Sequence, residues 1–86
     1  MQVSFSRNHA INPETFGINF EAIVDGSRVI CTVSIEALQD IDPSNAQGKP
    51  KDQFESNRSS FEQIAEQKIR AGQPAPITIT SADLHT

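Results

Sequence analysis

A chain of 86 residues has room for one small folding unit, and a core of this size buries only roughly 60 to 65 % of the surface that the unfolded chain exposes. A formal net charge of −4 argues against a general coat for nucleic-acid phosphates, and a single cysteine excludes an internal disulfide or a thiolate zinc cluster within one chain. Five Phe with neither Trp nor Tyr make a thin aromatic complement, yet the hydrophobic runs are patterned, which favours a folded globular domain over disorder.

The opening MQVSFSRNHAINP lacks the basic start and apolar centre of a secretory signal, and no run approaches the roughly 20 apolar residues of a bilayer span, so no membrane partner is expected and the expected compartment is the cytoplasm. Val3 and Phe5 alternate with Gln2, Ser4 and Ser6, predicting a short first strand. A polar loop from Asn8 to Thr15 should follow, with Asn12-Pro13 as its turn signal.

The strongest local pattern is Gly17 to Leu38. Apolar and polar positions alternate through Ile18–Ala22 and Val29–Val33, with Asp25-Gly26 between them as a two-residue hairpin turn. With Val24 opposite Ser27, the pairs Ala22/Val29, Phe20/Cys31 and Ile18/Val33 fall on one face. Ser34 is a natural N-cap for a short helix through Ile35, Glu36, Ala37 and Leu38 that should stop before Pro43. The stretch DPSNAQGKPK, from Asp42 to Lys51, reads as a mobile polar loop.

From Asp52 the period becomes helical. Asp52-x-x-Glu55 resembles a capping box, and Phe54, Phe61, Ile64, Ala65 and Ile69 recur at intervals of three, four and seven. One helix ending at Gly72 is favoured because Phe54 stays in phase with Phe61, and two pieces separated near Ser59-Ser60 are the alternative. Pro74 and Pro76 enforce an extended entry to a last strand over Ile77-Thr78-Ile79-Thr80, with Ser81 to Thr86 as a mobile tail.

Chemistry is sparse. On a helical wheel Asn57, Arg58 and Lys68 lie inside or beside the apolar stripe. A charge there needs a carboxylate or a path to water, with Glu21, Asp40 or Asp42 as expected partners, unless it serves a ligand or subunit contact. Cys31, placed opposite Phe20, reads as a small core hydrophobe. His9 in the N-terminal loop and His85 in the tail read as solvated, with no third ligand and no H-x-x-x-H spacing, so neither a metal nor a cofactor is expected. Asp40-Ile-Asp42-Pro-Ser44-Asn45 lacks the sixth-position glycine and twelfth-position glutamate of a calcium loop. Glu14, Glu21, Glu36, Asp40 and Asp42 are too scattered to nominate a catalytic pair, so no catalytic residue is assigned.

Three segments together carry a resemblance: Gly17-Ile-x-Phe20-x-Ala22-x-Val24-Asp25-Gly26, Cys31-x-Val33-Ser34-x-Glu36-Ala37-Leu38, and Ile64-Ala65-Glu66-x-Lys68-Ile69. In their order, with Ile77-x-Ile79-x-x-Ala82-Asp83-Leu84 at the end, the chain resembles the family of small bacterial proteins known as domain of unknown function 1488. The resemblance covers about half the chain, leaves Met1–Phe16 and Asp42–Gln53 without a matching motif, and implies a bacterial α+β domain with no established activity. It places Glu66 and Lys68 inside a family-like helix motif.

The expected fold is a single two-layer α+β domain of order β-β-β-α-α-β, a small antiparallel sheet packed on helices. Its other sheet face would carry Asn19, Glu21, Ile23, Arg28, Ile30 and Thr32, polar with an apolar centre at Ile23 and Ile30. Such a face suits a non-enzymatic interaction or regulatory module that pairs with itself as a homodimer or with another protein. One alternative is a small anionic-ligand protein or enzyme built on Arg58 and Lys68. Another is a nucleic-acid regulator using Arg58, Lys68 and Arg70, although Arg70 points away from Lys68 on the wheel.

Overall fold

The computed structural model of the chain describes residues 1–42 and 48–85, with the backbone alone at His85. Strands β1 (Val3–Ile11), β2 (Ile18–Val24) and β3 (Ser27–Val33) come first, followed by helices α1 (Ile35–Ile41), α2 (Pro50–Ser56) and α3 (Arg58–Arg70). Strand β4 (Ile77–Ile79) and a closing 3-10 turn (Ser81–His85) complete an α+β domain of order β-β-β-α-α-α-β. The sheet runs β1-β2-β3-β4. Among the described residues no helix is long and apolar enough to cross a membrane.

The β2–β3 hairpin adopts the register that its turn dictates: Val24 faces Ser27, and Ala22/Val29, Phe20/Cys31 and Ile18/Val33 pair in turn. Asp25 and Gly26 both take positive φ, 51° and 87°, which a tight two-residue turn between right-twisted strands requires. Ser34 Oγ accepts the Ala37 N–H at 3.1 Å and caps α1, which ends at Ile41, before Pro43. At the end of α3, Gly72 N–H donates to Ile69 O and Gln73 N–H to Lys68 O, closing the helix with Gly72 at φ 85°.

Four expectations change. Strand β1 continues to Ile11 where a loop from Asn8 was expected, because it bulges: Phe5 faces Ala22 and His9 faces Phe20, so four steps on β1 match two on β2. The polar run Arg7-Asn8-His9 looks like a loop because the bulge breaks its alternation. Secondly, Phe54 and Phe61 belong to separate helices. The chain turns at Asn57 (φ −122°, ψ 21°), and α2 starts at Pro50 with no side-chain cap, two residues ahead of the supposed box at Asp52 and Glu55. Thirdly, β4 is parallel to β3, with Cys31, Thr32 and Val33 facing Ile77, Thr78 and Ile79, so the sheet is mixed. The three helices supply the long crossover that a parallel pair needs. Lastly, the tail over Ser81–His85 is a 3-10 turn held at its start, where Thr80 N–H donates to Asp83 Oδ2 at 2.8 Å. The loop placed at 42–51 ends by Pro50, and its stretch 43–47 lies outside the described residues.

All three helices lie on one side of the sheet, and the core forms between them. Ile18, Phe20, Ala22, Cys31, Val33, Ile77 and Ile79 come from the sheet; Ala37, Leu38, Phe54, Phe61, Ala65 and Ile69 come from the helices. Phe54 is fully buried, with its ring centroid 5.1 Å from Phe20 and 5.9 Å from Phe61, and the Phe61 ring is nearly parallel at 9°. In an unbroken helix those two positions would stand about 10.5 Å apart along the axis. The break at Asn57 lets them stack.

Gly17 marks the tightest backbone contact: a Cβ there would sit 2.0 Å from Val33 O, the end of β3. Gly17→Ala is therefore expected to force the β1–β2 connection off β3 and to lower stability by about 3 kcal/mol, measured by urea denaturation.

Candidate functional site

The cations of the helix stripe meet internal partners. Arg58 donates Nε–H to Glu62 Oε2 at 2.9 Å and an Nη2–H to Ser6 O, and its guanidinium lies 5.6 Å from the Phe54 ring centroid. Ser6 O belongs to the bulge, where a carbonyl loses its ladder partner, so Arg58 supplies a donor that the sheet leaves out. Lys68 Nζ lies 2.9 Å from Asp83 Oδ1, and Asp83 also holds the Thr80 N–H, so the pair pins the C-terminal turn to α3. Asn57 Nδ2 donates to Gln53 O at 3.0 Å across the helix break. The partners named from sequence, Glu21, Asp40 and Asp42, are replaced by Glu62 and Asp83, and Arg70 pairs with Glu66 at 2.8 Å. Asn57, Arg58 and Lys68 thus act as connectors and do not converge on one site.

The opposite face of the sheet is different. Asn19/Thr32, Glu21/Ile30 and Ile23/Arg28 are cross-strand neighbours there. Ile30 is 46 % exposed and Ile23 partly buried. Beside Ile30 the bulge opens a shallow apolar depression of about 190 Å³, lined by Asn8, His9, Ala10, Asn19, Phe20, Glu21 and Ile30. Its rim is polar and ordered: Asn12 Nδ2 donates to Asn19 Oδ1 at 3.2 Å, and Thr32 Oγ1 donates to the same oxygen at 3.0 Å. The Arg28 side chain is 79 % exposed, with Nε 3.9 Å from Glu21 Oε2. Ile23 and Ile30 therefore share the face expected of them, and the depression beside them, which no local pattern announces, exists because β1 bulges.

His9 is corrected. Its side chain is only 11 % exposed on the inner face, with the ring 5.2 Å from Phe54, Nδ1 3.2 Å from Arg7 O and Nε2 3.2 Å from Glu55 Oε1. The ring thus packs between Phe54 and Glu55 and ties the bulge to α2. The side chain of His85 lies outside the described residues. Cys31 is fully buried, and that burial pushes its thiol up to about 11 against a smaller opposing contribution from the Ala22 backbone. Such a thiol is a poor nucleophile. Among the described residues no cluster of His, Cys, Asp and Glu is arranged to hold a metal ion.

Fold and surface together define a small two-layer α+β domain, with helices over one sheet face and a shallow, partly apolar opposite face. The model of the family described as Protein of unknown function (DUF1488) matches residues 3–79, and the chain belongs to that family. No curated protein and no solved structure matches it. The match extends over Val3–Phe16 and Asp42–Gln53, the stretches that the sequence motifs left unassigned.

Two measurements follow. Burial alone would raise the Asp83 carboxyl, but the Thr80 N–H and the Lys68 ammonium outweigh it and hold it below the usual aspartate range. A depressed carboxyl stabilises the fold fully above about pH 4 and loses that contribution as the pH falls through its folded value. Lys68→Met should cost about 1 kcal/mol at pH 7 and flatten the decline in stability below pH 4, read from urea melts across a pH series. Cys31 should react with a disulfide reagent at pH 8 about a hundredfold more slowly in the native protein than in denaturant.

Proposed function

We propose that the protein is a non-enzymatic interaction module that works through the helix-free face of its sheet, with a second copy of the chain as its partner. The observation that carries this is Ile30, a large apolar side chain left 46 % exposed beside an apolar depression on that face. Apolar surface of this kind is stabilised by being covered. Glu21 and Arg28 on the same face bear opposite charges, and a two-fold axis that passes between them sets each against its opposite on the other copy. Self-pairing then needs no further charge from a partner.

The competing functions find less support. An enzyme built on Arg58 and Lys68 together needs the two cations to converge on one ligand, and each is tied to a different carboxylate, Arg58 to Glu62 and Lys68 to Asp83. A nucleic-acid regulator needs a basic stripe, yet Arg58, Lys68 and Arg70 are each neutralised by a nearby acid.

Sedimentation equilibrium tests the proposal over a range from micromolar to about millimolar. The expected result is a reversible dimer that Ile30→Glu weakens by about thirtyfold or more, because a bare carboxylate is then buried at the contact. A monomeric mass throughout, unaltered by Ile30→Glu, overturns it.

A further inference from the structure

On the helix side of the sheet, at the β1 edge, lies a second concavity of about 320 Å³ lined by Phe5, Arg7, Arg58 and Glu62. We infer that this cleft binds a small monoanionic carboxylate with an apolar body, held by Arg7 and Arg58 against the Phe5 ring. It is a site separate from the self-pairing face and does not depend on it.

Arg7 is exposed, and its guanidinium makes no ion pair or hydrogen bond among the described residues, so its whole donor fork is open to a ligand. Arg58 has spent Nε on Glu62 and Nη2 on Ser6 O, which fixes the guanidinium in place and leaves Nη1 without a partner among the described residues. One anchored and one exposed guanidinium on a shared cleft match the planar, two-oxygen geometry of a carboxylate.

Glu62 sets the charge of the ligand. With two guanidinium groups and one carboxylate, the lining carries a net charge of one positive unit, which balances a monoanion. A phosphate dianion would bring excess negative charge against Glu62. Phe5 sits on the inner face opposite Ala22, is half-buried, and offers its exposed portion as an apolar wall. The volume lies at the small end of ligand sites and fits a metabolite-sized acid rather than a polymer.

Phenylacetate is the probe, titrated into the ¹⁵N-labelled protein with inorganic phosphate and benzylamine as comparators. Saturable shifts confined to the amides of 5–7 and 58–62 are expected with phenylacetate, with little response to benzylamine and weaker binding of phosphate. Arg7→Ala, at an exposed side chain without internal partners, should leave the thermal midpoint unchanged and weaken phenylacetate binding about tenfold. Arg7→Lys, which keeps the charge but loses the fork, should recover only part of it. No saturable shift at tens of millimolar, or binding that Arg7→Ala leaves intact, overturns the site. Phosphate binding as tightly as phenylacetate overturns the assignment to monocarboxylates. Because the cleft is read by amide shifts and the outer face by molecular mass, the two proposals stand or fall separately.

Discussion

The domain depends on the packing of one side chain, Phe54. Its ring touches Phe20 on the sheet, Phe61 on α3 and His9 on β1, and the Arg58 guanidinium lies over it, so strands and helices meet at a single aromatic group. Aromatic pairs contribute about 0.5 to 1.5 kcal/mol each beyond the area they bury, a large share of the margin in a chain this short. The geometry also explains the break at Asn57. A straight helix would separate Phe54 from Phe61, and a turn lets both rings fill the space beneath the sheet at the cost of a few backbone hydrogen bonds, one of which Asn57 replaces through Gln53 O.

The bulge in β1 has consequences on both faces. On the helix side it turns the Ser6 carbonyl out of the ladder, and Arg58 reaches across to satisfy it. It also brings Phe5 and Arg7 to the same cleft as Arg58 and Glu62. On the other side the loosened strand leaves a hollow next to Ile30. A bulge on the edge strand further disrupts the flat row of free N–H and C=O groups that would invite edge-to-edge pairing.

Much of the fold was legible where short-range chemistry decides it. The hairpin register follows from Asp25-Gly26 and strict alternation, and Ser34 and Gly72 delimit helices by capping chemistry that their own side chain or conformational freedom supplies. Elements set by long-range pairing were not. β4 has three residues, too few for their pattern to reveal whether they run parallel or antiparallel to β3. His9 sits in a run that looks like a polar loop, and its place against Phe54 depends on a strand of which only Val3 and Phe5 gave evidence.

The sequence by itself determined the α+β class, the hairpin, the buried position of Cys31 and the face shared by Ile23 and Ile30, because each rests on periodicity, turn residues or caps within a few positions of one another. It also marked Asn57, Arg58 and Lys68 as out of place on an apolar stripe. Only the tertiary structure decided what those residues meet. Glu62 is one helical turn from Arg58, but the Ser6 carbonyl is 52 residues away and Asp83 lies beyond β4 from Lys68, so the pairings depend on where the strands and the final turn come to rest. The hollow beside Ile30 and the cleft beneath Arg7 arise in the same way. A bulge is a mismatch between two strands, and neither strand alone encodes it.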